Sequence, residues 1–343
     1  MGMVKPLALF AALLFLVAGC GGAPVPAASA PASAAPTPSG PPVKITITYG
    51  SVAADVLPTY VALEQGIFLR NGLDAELQLI SSSTAAVAAL VSGNADFSQA
   101  GGSEAISATV GGADIVVVVV TGATYSYLLM AAADIKTPND LKGKKVGIST
   151  VGSSSDVAVR VALKKIGIDP DKDVSIVPVG GVPERVAAMK SGAIQATVAN
   201  PPETTSLEQA GFHSVLDLAG LKLPASVQTT IVKRETVRSK PDVVQRYVDS
   251  LVQAIAYMKK NKPAVVNVLK KYFKSTDDAA MGSAYDFYTN EVIPAQPFPR
   301  PELFGDAITA LAARNDKVKG FDASKLVDQS FVQKAIDRGL DKG

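Results

Sequence analysis

The 343-residue chain has no tryptophan, one histidine and one cysteine. A single cysteine forms no internal disulfide, and His213 as the lone imidazole leaves no His/Cys metal cluster. A Ser-His-Asp triad would have to use His213, which the pattern puts in a loop between a helix and a strand. No P-loop, dinucleotide-binding glycine fingerprint or GxSxG elbow appears. The formal charge is only +2, and Lys and Arg are scattered, so nothing recommends a nucleic-acid partner. The one basic cluster, Lys259-Lys260-Asn261-Lys262 with Lys270, Lys271 and Lys274, reads as a solvated helix face. No apolar run reaches the roughly 20 residues a membrane-crossing helix needs. The expectation is a protein that is not an enzyme, with no catalytic residue, no cofactor and no metal.

What is present begins with a secretory signal. Lys5 gives a thin positive region, Leu7 to Val17 a short apolar one, and Leu16-Val17-Ala18-Gly19-Cys20 reads as a lipobox. On this reading residues 1–19 are removed, and Cys20 becomes a lipidated first residue that holds the protein outside the cytoplasm on a membrane. Ordinary cleavage after Ala18 is the alternative. Residues 20–42, beyond the cysteine almost wholly Ala, Pro, Ser and Gly, cannot bury a core and read as an extended tether.

The remaining ~300 residues contain a repeat. Ala88-Ala89-Leu90-Val91-Ser92-Gly93-Asn94-Ala95-Asp96 returns about a hundred residues later as Ala187-Ala188-Met189-Lys190-Ser191-Gly192-Ala193-Ile194-Gln195. Each copy follows a Gly-Leu-Asp or Gly-Ile-Asp turn and an apolar run, Ala75–Ile80 or Val174–Val179. Each run stops at small residues, Ser81-Ser82-Ser83-Thr84 or Gly180-Gly181-Val182-Pro183. A long period met twice points to a duplicated β-loop-α-β unit, one in each of two α/β lobes. Loops at the carboxyl edge of a parallel sheet lead into helix N-termini, where ligands bind. Two such edges facing each other make a cleft.

The pattern predicts strands at Val43–Gly50, Ala75–Ile80, Ala95–Gln99, Lys145–Ser149, Val174–Val179 and Gln195–Ala199. Helices are predicted over Asp55–Phe68, Thr84–Ser92, Ser103–Val110, Ser153–Ile166 and Pro183–Ser191. The β-branched run Asp114–Val120 reads as a central strand buried on both faces. The lobes divide as 43–126 (first), 127–226 (second) and 227–343 (return to the first, then helices). Tyr125–Ala132 and Ala225–Lys233 carry the two crossings, a hinge of two strands.

Pro58-Thr59-Tyr60-Val61-Ala62-Leu63-Glu64-Gln65-Gly66-Ile67-Phe68 with Asn71-Gly72-Leu73-Asp74 resembles the solute-binding proteins of ABC importers. The type is that for nitrate, sulfonate and taurine, which also contains binders of thiamine pyrimidine precursors. Ala89–Asp96, Asp140-Leu141-Lys142-Gly143-Lys144-Lys145-Val146-Gly147, Gly152–Ser155 and Asn200-Pro201-Pro202 are similar to further family motifs, and together they cover most of 43–260. The resemblance implies a two-lobed periplasmic-binding-protein fold of the two-crossover type (type II). It also implies a monomer that delivers a sulfonate- or carboxylate-like solute to a permease and ATPase. Alternatives are a thiamine-precursor binder, a sensing subunit for a signalling receptor, or a pyrimidine-forming enzyme; the last would need histidines and metal ligands that this chain lacks.

The candidate ligand residues are Ser82, Ser83 and Thr84, with their counterparts Ser153 and Ser154; plain helix capping is the competing reading. Ser51, Asp55, Gly101 and Ser103 end other strands of the first lobe, and Gly181 and Asn200 occupy matching places in the second. Tyr125 and Tyr127 lie near the crossing, where a ring could cover a ligand. Asp55, Glu104 and Glu203, if they point inward, favour an amine or a polyol over a bare oxyanion. Arg160 and Arg185 lie a turn or more inside helices, so no guanidinium clamp is expected.

Overall fold

The computed structural model describes residues 40–343. The expected signal, Cys20 and almost all of the expected 20–42 tether lie outside the described residues. The chain enters β1 (Val43–Tyr49), where Ile45 and Ile47 turn into the core. Where one helix is expected over Asp55–Phe68, there are three pieces: a 3-10 turn at Ala54–Val56, α1 (Leu57–Glu64) and α2 (Ile67–Arg70). Gly66, with φ 64°, breaks the run, because the left-handed conformation stops a helix and costs glycine little.

β2 (Leu73–Leu79), α3 (Ser83–Val91), β3 (Phe97–Ala100), α4 (Gly102–Val110) and β4 (Ile115–Thr124) follow. The chain then passes to β5 (Leu128–Ala131), β6 (Lys145–Ile148), α5 (Ser154–Lys165) and β7 (Ser175–Pro178). Next come α6 (Val182–Lys190), β8 (Ala196–Ala199), α7 (Glu203–Gln209) and β9 (His213–Asp217). β10 (Pro224–Lys233) returns to the first sheet. The rest is mostly helical, including α8 (Arg234–Ser239), α9 (Pro241–Lys260), α10 (Lys262–Phe273), α11 (Asp278–Phe287), α12 (Gly305–Ala312) and α13 (Ser330–Asp337).

There are two five-stranded sheets, ordered β2-β1-β3-β10-β4 and β7-β6-β8-β5-β9. In each, the first three strands are parallel and the last two join antiparallel. The orders superimpose, with β1, β2 and β3 matching β6, β7 and β8. The sequence repeat is therefore a repeat of topology: α3 and α6 lie at equivalent places. The shared Ser-Gly ends both helices, since Gly93 and Gly192 have φ 84° and 76° and donate back to Leu90 and Met189, as a helix stop requires.

Each lobe has its own core. In the first, Tyr247 of α9 stacks on Phe97 with ring centroids 3.9 Å apart, and the two N–H groups of the buried Gln99 amide are shared among the hydroxyls of Thr59, Thr230 and Tyr247. In the second, Leu129, Val146, Ile148, Val159 and Leu163 pack together. The β4 run is buried as expected, but β4 is an outer strand and not a central one. The segment near Leu326–Asp328 pairs with Val117 and covers its free edge, so the burial comes from the C-terminal region. Three lysines of the basic cluster are ion-paired, Lys262 with Asp286, Lys270 with Asp278 and Lys271 with Glu64. No helix among the described residues is long and apolar enough to cross a membrane.

Candidate functional site

The parallel strands of the two sheets present their carboxyl ends to one another. Gly50 and Ser51 follow β1, Ser83 follows β2, Gly101 follows β3, Ser149 follows β6, Gly181 follows β7 and Asn200 follows β8. All of them line one cavity of about 70 Å³. At ~10–15 Å³ per water-sized centre, it has room for roughly five. Tyr127 of the first crossing and Val227 and Gln228 of β10 complete the lining at the hinge.

α3, α4, α5 and α6 all begin here, so four positive dipole ends converge. The chain itself engages several of their donors. Ser82 and Ser153 cap α3 and α5 by accepting from Ala85 and Asp156. Ser51 Oγ accepts from Val182 N across the cleft, at 3.2 Å.

The α4 residue Glu104 does most to join the lobes. Its Oε1 accepts from Ser83 Oγ (2.6 Å) and from the backbone N of Ser154 (3.3 Å), and its Oε2 from the hydroxyls of Ser103 (2.8 Å) and Ser154 (3.0 Å). One carboxylate thus ties the first lobe to the N-terminus of α5. Gly101 is needed beside it, because a Cβ there would lie 1.6 Å from Ser154 Oγ. Further ties are Thr84 to Thr150 at 3.1 Å and Asn200 Nδ2 to Tyr288 OH at 2.5 Å.

Two acids near the cavity are held off their usual ionisation. Burial raises Asp55 to about 7, with the charge of Glu104 adding and the N–H groups of Asp55 and Val56 opposing. Burial raises Glu203 to about 8; its own N–H and Arg185 pull it down, while Asp55 pushes it up. Glu203 is partly exposed as a residue, yet its Oε2 is sealed and unpartnered. Burial lowers Arg185, and Tyr127, Glu203 and Glu184 oppose that.

Of the residues singled out in the sequence, Ser51, Asp55, Ser83, Gly101, Ser154, Gly181 and Asn200 line the cavity, as do Glu104 and Tyr127. Ser82 and Ser153 cap helices outside the lining, and Thr84 is spent on Thr150. Ser103 and Tyr125 line a smaller neighbouring cavity, where Tyr125 OH donates to Asp306 at 3.2 Å. Arg185 corrects an expectation, for this buried side chain lines the cavity. Helical side chains lean toward the N-terminus, so a residue one turn inside α6 still reaches the cleft. There it donates to Thr197 Oγ1, Gly180 O and Val198 O. Arg160 instead pairs with Asp156 and Asp171. Gln228 comes from a return strand with no site-like pattern of its own.

The model of a known family, described as "NMT1/THI5 like", matches residues 53–264. The chain belongs to the NMT1/THI5-like family. This member is 28% identical over 232 residues to a Brucella abortus (strain 2308) protein named as a binding protein, covering 63% of this chain and 67% of that one. A Brachyspira hyodysenteriae (strain ATCC 49526 / WA1) protein, named as an ABC transporter periplasmic binding protein, is 32% identical over 114 residues, 33% of this chain and 32% of its own. The crystal structure of the periplasmic aliphatic sulphonate binding protein SsuA from Escherichia coli superimposes with a TM-score of 0.67 at 21% identity, over 85% of this chain and 99% of that one. At that identity the likeness shows the periplasmic-binding-protein fold.

Proposed function

We propose that this NMT1/THI5-like protein is an extracytoplasmic solute receptor that delivers one small organic molecule to the permease and ATPase of an ABC importer. The observation that carries this reading is the convergence of six strand-end loops, three from each lobe, on one compact polar cavity. Relatives named as binding proteins support it. Contacts that a solute makes to both walls exist only when the lobes are together, so binding favours the closed form that the permease meets. We read the cleft as a binding site and assign it no catalytic step: His213 opens β9, apart from the residues that line it.

A cognate solute at a hundred times its dissociation constant is expected to add about 2.7 kcal/mol of stability. Thermal unfolding against a panel of small organic solutes reads this directly, and a flat response across the panel would contradict the receptor reading. We also propose that Cys20 carries the lipid that keeps the receptor near its permease. Cys20→Ser is expected to move the protein from the membrane to the soluble fraction on cell fractionation; unchanged membrane retention would refute the anchor.

A further inference from the structure

Four helix N-termini facing one cavity invite an anion. The structure shows that the chain has already supplied one. Glu104 sits at the N-terminus of α5 with four hydrogen bonds, and those bonds occupy the N–H and the hydroxyl of Ser154 that an oxyanion would need. A second anion there would meet Glu104 and Asp55 at close range, in surroundings that screen charge poorly.

Three side chains that line the cavity keep acceptor oxygens that no side-chain donor among the described residues meets. Among the described residues, no side-chain donor reaches the Asp55 carboxyl, although Asp55 is buried and lines the cavity. Asn200 is 1% exposed, and its Oδ1 is buried without a partner. Gln228 gives its amide N–H to Gln99 Oε1 at 3.0 Å, and no donor among the described residues reaches its own side-chain oxygen. An ammonium group brings three N–H donors and a positive charge. Arg185 uses three of a guanidinium's five donors on the protein, which leaves two for an acceptor oxygen at the other end of a short solute.

We propose that the cleft selects compact solutes bearing a primary ammonium group, received by Asp55 with Gln228 and Asn200, and that Glu104 excludes oxyanions by standing in for one at α5. This rests on the receptor reading and departs from the sulfonate- or carboxylate-like solute that the sequence resemblance implies. It also fixes the sign of a pH effect. The groups facing Asp55 are Glu104, Tyr60, Tyr127, Tyr288 and Glu203, with Arg185 on the same cavity. Ionised Asp55 holds a cation better than protonated Asp55, so affinity for an amine rises as pH climbs through about 7. An oxyanion would show the reverse.

The test compares ethylammonium and 2-aminoethanol with ethanesulfonate and nitrate, by thermal unfolding and titration calorimetry on the wild type and Asp55→Asn. The amines are expected to raise the wild-type midpoint and bind more tightly at pH 8 than at pH 6, while the anions do neither. Asp55→Asn is expected to weaken amine binding roughly 10- to 100-fold, the worth of one hydrogen bond to a charged group, and to flatten its pH dependence. A response to ethanesulfonate or nitrate with silence from the amines overturns this inference and leaves the receptor standing. Silence from all four overturns the inference and counts against the receptor reading as well. Amine binding undiminished in Asp55→Asn, or falling with pH in the wild type, overturns the assignment to Asp55. The wild-type pH series decides the matter even if the variant does not fold.

Discussion

Asp156→Ala is expected to cost the folded protein about 3 kcal/mol, toward the lower end of the 3–5 kcal/mol seen when one partner of a buried ion pair is removed. Asp156 is 2% exposed and serves three groups. It accepts from the backbone N of Gly152 at 2.8 Å and from Arg160 Nε at 2.7 Å, both in the second lobe. It also accepts from Arg314 Nη1 at 3.3 Å, just beyond α12 of the first lobe. Alanine leaves Arg160 buried with only the exposed Asp171 to answer it, and that remaining partner is the reason for the low end of the range. Asp156→Asn keeps one oxygen, enough for Gly152 or for Arg160 but not for both, and is expected to lose somewhat less than alanine. Urea denaturation of the two variants checks the order. An alanine loss below about 1 kcal/mol, the range of an exposed pair, would contradict it.

Glu104→Ala is expected to loosen the closed arrangement itself. The substitution removes the one group that accepts from Ser83 and Ser103 on one side and from Ser154 on the other. Each hydrogen bond to a charged group is worth about 1.5–3 kcal/mol, and two of the four cross between lobes, so roughly 3 kcal/mol or more of interlobe attachment goes. Thr84–Thr150, Ser51–Val182 and Asn200–Tyr288 remain and are neutral, and a charged tie of Asp156 with Arg314 at 3.3 Å also remains. The variant should show a larger radius of gyration than the wild type in solution scattering, with Glu104→Gln between the two. Superimposable profiles would mean that Glu104 does not hold the lobes together.

Much of this architecture could be read in the sequence, because the features that set it are local. The repeated Ser-Gly is a helix stop written in four atoms of backbone geometry, and it marks the same joint in both lobes. The serines at Ser82 and Ser153 announced helix starts and turned out to be caps, the commoner use of such residues. What the sequence hid depends on distant chain. The valine run of β4 reports burial but not position: a central strand and an outer strand covered from the C-terminal side show the same alternation-free pattern. Arg185 reads in the sequence as a residue a turn inside a helix, and only the backward lean of its side chain brings it into the cleft. Gln228 and the four-way role of Glu104 exist only once β10 has returned and α4 faces α5. No spacing rule reaches across such separations.

The central claim is that a solute is held by both lobes at once, in the cleft between the two sheets. Hydrogen exchange with and without a solute that raises the unfolding midpoint tests it most directly, since bound ligand slows exchange where it closes the structure. The account predicts protection in both lobes together, around Ser51–Asp55, Ser83–Ala86 and Gly101–Glu104 in the first and around Ser154–Val157 and Val182–Arg185 in the second. Protection confined to one lobe, or lying away from these five segments, would contradict it.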